Sequence, residues 1–107
     1  MARRTYKKLV RDLIPDIIRQ NGHACAVDSL DKDAFRRALR DKLVEEAREA
    51  AQAQDDDLAT ELADLQEVVD ALLQTYGLTR EAVSVMQQLR RAERGGFEQR
   101  LRLLWTD

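Results

Sequence analysis

EEAREAAQAQDDDLATELAD, residues 45–64, is the stretch on which the fold turns. Its middle, Gln54-Asp55-Asp56-Asp57, interrupts a helical pattern on both sides. Upstream, Leu39, Leu43, Ala47 and Ala50 recur at three- and four-residue spacing, which predicts a helix from Asp31 to about Gln54, with Ser29 or Asp31 as N-cap. Downstream, Leu58, Leu62, Leu65, Val69 and Leu72 predict a second helix over about 57–76, capped by the Asp run and ended by Gly77. Two helices joined by so short a turn run antiparallel, so residues equidistant from the turn lie level with one another. Glu49 and Glu61 stand six positions either side of Asp55, and Glu46 and Asp64 stand nine either side. A square of four carboxylates is within geometric reach.

Rotation decides whether those acids face one another. At roughly 100° per residue, Glu61 falls between Leu65 and Val68, inside the apolar arc, and Asp64 falls at its edge beside Val68 and Ala71. Asp70 falls on the opposite side, as a surface residue would. Glu46 borders the Leu39/Leu43/Ala50 stripe, with Glu45 and Glu49 further round. Carboxylates at a core edge are costly unless paired or bound to a cation, and clustered ones raise one another's pKa values until a cation arrives. Oxygen ligands without histidine suit Mg²⁺, or Mn²⁺; the single histidine, His23, is on neither helix. The competing reading is a solvated helix face in which Arg48 or Lys42 pairs with the acids.

The flanks are simpler. Residues 1–27 form a basic arm, with six Lys/Arg against two Asp/Glu; residues 28–70 carry six against fourteen. Pro15 suits the first turn of a short helix and Asn21-Gly22 its end. "HACAV", 23–27, reads as an extended connector. Thr79 is placed to cap a third helix running to about Arg94, ended by Gly95-Gly96, and the apolar tail "FEQRLRLLW" is expected to dock on the bundle or on a neighbouring subunit. Cys25, Tyr76 and Trp105 read as packing residues. The whole, residues 1–107, reads as one all-α domain, an antiparallel helical bundle completed by oligomerisation as a dimer or tetramer. A formal net charge of −2 gives no support to binding of a nucleic-acid polymer. No apolar run approaches membrane-spanning length, "MARRTYKKLVRD" has no signal-peptide core, and one cysteine leaves no internal disulfide; a cytoplasmic location is the expectation.

"EEARE" followed by "ELAD" resembles the EExxE…ExxD signature of the all-α nucleoside triphosphate pyrophosphohydrolases, the superfamily of MazG, the helical dUTPases and phosphoribosyl-ATP pyrophosphohydrolase. "YKKLVRDLIPDII" at 6–18 and "RRAERGGFEQRL" at 90–101 resemble segments of its small house-cleaning branch, so the resemblance spans nearly the whole chain. The eleven residues between Glu49 and Glu61 stand at the short end of the spacing found in MazG itself. The resemblance implies hydrolysis between the α and β phosphates to a monophosphate and pyrophosphate. It implies Glu46, Glu49, Glu61 and Asp64 as Mg²⁺ ligands and Glu45, Glu46 and Glu49 as the catalytic acids of the motif, with the identity of the general base left open. Lys8 and Arg11 in the arm and Arg91 and Arg94 near the tail become candidates for phosphate contact. A local ion pair is the plainer alternative, as for Arg11 with Asp12 or Asp16 and for Arg94 with Glu98. A non-catalytic dimerisation or regulatory module on the same scaffold is the alternative function.

Overall fold

The computed structural model describes residues 2–107, and among them every regular element is helical. Helix α1 (Ile14–Gln20) carries Pro15 in its first turn. It ends where the Gly22 N–H donates to the Arg19 carbonyl (3.0 Å) and the His23 N–H to the Ile18 carbonyl (3.2 Å), with Gly22 at φ 84°. That paired return is available cheaply to glycine because it has no Cβ to clash. Residues 2–13 and 23–31 are irregular, so the expected connector is present without strand pairing.

Helix α2 (Lys32–Gln52) starts at Asp31, whose carboxylate accepts from the Ala34 N–H at 2.8 Å. Its 21 residues contain no glycine or proline, which is why the run continues unbroken. A three-residue 3-10 turn, Asp55–Asp57, then leads into α3 (Leu58–Thr75). The turn falls where expected, but Asp57 makes no side-chain capping bond. The tight 3-10 winding carries the chain into the helix with its own backbone bond, Asp57 N–H to the Gln54 carbonyl at 2.9 Å. Helix α3 ends with the Leu78 N–H donating to the Leu73 carbonyl (2.8 Å) around Gly77 at φ 68°. Helix α4 (Arg80–Arg94) opens with the Thr79 hydroxyl accepting from the Ala82 N–H at 3.0 Å.

The core lies along the antiparallel α2/α3 pair. Its buried residues are Leu39, Val68 and, unusually, Glu46. Two facing assignments shift. Ala47 is exposed and Glu46 takes its place on the α2 stripe beside Leu39, Leu43 and Ala50. On α3 the inward face runs through Glu61, Asp64, Leu65, Val68 and Leu72, whereas Leu58 and Leu62 are exposed. Asp70 is not a free surface acid: it holds Arg80 in a two-point ion pair that fixes the α3–α4 junction, the Nε–Oδ1 contact being 3.1 Å.

At the end of the pair away from the turn, Arg36 donates to the Thr75 carbonyl at 2.6 Å and lies over the Tyr76 ring at 4.2 Å. Arg40 donates to the Tyr76 hydroxyl at 3.2 Å. Tyr76 is thus a platform for two guanidinium groups, a cation–π arrangement as much as a packing contact.

Helix α4 and the tail bury nothing. No residue of α4 is buried, and Phe97 and Trp105 remain 96% and 80% exposed, so the tail does not dock on its own chain. The accessible surface is 10101 Å², against about 6,100 Å² for a compact monomer of this mass. The radius of gyration, 18.4 Å, likewise exceeds the roughly 13 Å of a compact domain of this length.

Candidate metal centre

All five acids of the two motifs fall into two groups that share Glu46. Oxygens of Glu46, Glu61 and Asp64 lie within 4.8 Å of one another, and so do oxygens of Glu45, Glu46 and Glu49. Glu46 and Asp64 are therefore level across the helix pair, as their equal distance from Asp55 requires. Glu49 and Glu61, expected level by the same rule, share no group: Glu61 joins through Glu46 and Glu49 sits on the exposed side, so the four carboxylates do not close into one square.

The electrostatics of this cluster are unequal. Glu46 is 7% exposed, and its Oε2 is enclosed without a hydrogen-bond partner, as is Oε2 of Glu61. Burial above all, then the neighbouring charges of Glu49 and Asp64, push the Glu46 carboxyl above the ordinary glutamate range; Lys42 pulls the other way. Glu45 is shifted in the opposite direction. Hydrogen bonding from Lys42, and secondarily from Lys8, holds its carboxyl below the usual value despite partial burial. Lys42 Nζ stands 3.1 Å from Glu45 and 3.5 Å from Glu46. Of the two cations weighed as surface partners for the acids, Lys42 takes that role, while Arg48 forms no ion pair among the described residues.

The basic arm reaches the same place. Lys8 Nζ donates to Glu45 Oε1 at 3.1 Å, and Arg11 Nη2 donates to Asp64 Oδ1 at 2.8 Å. Arg11 therefore passes over Asp12 and Asp16 for an acid 53 residues away. The two tail cations are not brought to the cluster: Arg91 pairs with Glu98, and Arg94 makes no ion pair among the described residues.

An octahedral Mg²⁺ with oxygens at about 2.1 Å spaces them roughly 2.9 to 4.2 Å apart, so a cluster already within 4.8 Å needs only a side-chain adjustment. The two orphaned buried oxygens are what a hard divalent cation would satisfy, and the donor set is all carboxylate. Glu46, Glu61 and Asp64 form the inner group, with Glu49 and Glu45 at its rim. Two shallow grooves lie toward the far end, around Tyr76, Leu78 and Arg80, and no acid of the cluster lines them.

Fold and site together define an all-helical protein with an acidic candidate cation site served by a basic arm. No family model, curated protein or solved structure matches the chain. Among the described residues no helix is long and apolar enough to cross a membrane.

Proposed function

We propose that the chain is a Mg²⁺-dependent nucleoside triphosphate pyrophosphohydrolase of the MazG-like all-α type, cleaving between the α and β phosphates to give a monophosphate and pyrophosphate. The observation that carries this reading is Glu46: a carboxylate enclosed in the core, missing a partner on Oε2, and facing Glu61 and Asp64. A surface-charge role does not account for it, because a solvated face has no reason to bury an acid among acids. Glu46, Glu49, Glu61 and Asp64 would hold the cation, with Mn²⁺ as a substitute. When bound, such an ion polarises phosphoryl oxygens and makes water a better nucleophile. Glu45 and Glu49, at the accessible rim, would orient that water. Lys8 and Arg11 supply positive charge at the same rim, suited to the charge that develops on a leaving pyrophosphate. A role in clearing unwanted nucleotides from a reducing cytoplasm, where Cys25 stays a free thiol, follows from the same reading.

The test is pyrophosphate release from a panel of canonical and modified nucleoside triphosphates with Mg²⁺. Turnover that needs the metal and disappears in Glu49→Ala and Asp64→Ala supports the reading. Full activity in both variants would remove the site assignment.

The surface far in excess of a compact monomer favours a homo-oligomer, dimer or tetramer, in which α4 and the tail find apolar cover. That same observation favours the alternative function, a non-catalytic dimerisation or regulatory module. Silence across the nucleotide panel, with self-association intact, would select it.

A further inference from the structure

Residues 2–13 cross the mouth of the acidic cluster with little to hold them there. Only Leu9 among them is even half-buried, α1 behind them has no buried residue, and Lys7 turns the chain with φ 50°. Their side-chain attachments to the helix pair are two ion pairs, one on each helix: Lys8 to Glu45 on α2 and Arg11 to Asp64 on α3. Exposed pairs of this kind are individually weak. The arm is therefore a segment whose position depends on the charge of the cluster beneath it.

We propose that this arm is a counter-ion strap, closed over the carboxylates by Lys8 and Arg11 in the metal-free chain and released by a divalent cation, which frees both side chains for an incoming polyphosphate. The inference rests on the cation site proposed above and extends it to the order in which ligands are accommodated. Arg11 occupies Oδ1 of Asp64, an acid of the inner group, while Lys8 draws on Glu45 at the rim. A dication set among the same oxygens competes for those lone pairs and repels both side chains. Coupling of this kind is reciprocal: whatever weakens the strap strengthens cation binding, and the reverse. Phosphate oxygens then offer the displaced cations charged acceptors at the same rim, and for Arg11 a bidentate match.

The experiment uses Mn²⁺ alone as probe, with no nucleotide, and two readouts on the full chain. The first is Mn²⁺ affinity, from the free-ion electron paramagnetic resonance signal, for wild type, Lys8→Ala/Arg11→Ala and the control Arg3→Ala/Arg4→Ala. The control removes the same charge from arm residues that make no ion pair among the described residues. The second is trypsin cleavage after Lys8 and Arg11, with cleavage after Arg100 in the exposed tail as internal reference. Loss of two exposed pairs should tighten Mn²⁺ binding by about twofold to tenfold in Lys8→Ala/Arg11→Ala and by less in the control. Saturating Mn²⁺ should speed arm cleavage in wild type relative to Arg100. Unchanged arm cleavage on Mn²⁺ binding, with equal affinity in all three proteins, overturns the strap and leaves the cation site standing. Absence of Mn²⁺ binding in both wild type and Lys8→Ala/Arg11→Ala overturns both.

Discussion

Replacing Glu46 by glutamine should stabilise the metal-free protein and abolish its response to Mg²⁺, so that the two proteins exchange rank when the ion is added. Glu46 keeps one enclosed oxygen unpartnered and faces the charges of Glu49 and Asp64. An unsatisfied buried polar atom costs about 1–3 kcal/mol. Glutamine removes the charge and offers donors to Asp64 and Glu49, but it gives up the 3.5 Å pairing with Lys42, worth a few tenths of a kcal/mol. A net gain of about 1 kcal/mol, or about 4 °C in melting temperature for 107 residues, is expected. Wild type with free Mg²⁺ at about 100 times its dissociation constant gains about 2.7 kcal/mol, or about 12 °C. Thermal unfolding followed by circular dichroism, with and without Mg²⁺ at fixed ionic strength and protein concentration, gives all four values. A Glu46→Gln protein that is less stable than wild type without metal, yet still gains several degrees with it, would refute the reasoning.

The pH dependence follows from the same residue. Because the folded chain raises the Glu46 carboxyl above its unfolded value near 4.5, its contribution is present below that pH and is lost as pH rises through the folded value. Without metal, the stability advantage of Glu46→Gln over wild type should therefore grow from pH 4.5 to about pH 7.5, as read from urea midpoints. Leu39→Ala truncates the most enclosed side chain of the pair, at 2% exposure, and the cavity left behind should cost about 3 kcal/mol in urea unfolding. Replacing Phe97, Leu101 and Trp105 together by serine should lower self-association in sedimentation while leaving the helical signal of α2 and α3 in place; identical sedimentation of both proteins at every concentration would refute the role given to the tail.

Local signals in the chain were legible residue by residue. Asp31 and Thr79 cap as their hydroxyl or carboxylate chemistry requires, Gly22 and Gly77 end helices with positive φ, and the turn falls on the Asp run. Equal distance from Asp55 brought Glu46 and Asp64 together because antiparallel geometry leaves little freedom near a short turn. What periodicity did not resolve was which apolar residues stay outside. The step of roughly 100° per residue put Glu61, Asp64 and Glu46 in or beside the inward arc, where they lie, but counting apolar residues also placed Ala47, Leu58 and Leu62 inside, and they are exposed. A pattern read as leucines facing a core cannot distinguish the face toward the neighbouring helix from one left for another chain. Contacts distant in sequence were also hidden: Arg11 has acids nearby at Asp12 and Asp16 but reaches Asp64 because the arm folds back. The platform at Tyr76 could have been sought from Arg36 and Arg40, four apart on one helix face and level with the end of α3.

That platform has a bearing on the acids it never touches. Arg36 lies ten residues from Glu46 along α2, about 15 Å at the helical rise. By tying itself to the Thr75 carbonyl and the face of Tyr76, it pins α3 against sliding along α2. One residue of slip would move a helix about 1.5 Å and turn its side chains by roughly 100°, enough to scatter the carboxylates. The far end of the hairpin thus acts as a ruler, setting by its own chemistry the tolerance to which a distant cluster is assembled. Transplanting the five acids onto another helix pair would carry over the carboxylates without the gauge that aligns them.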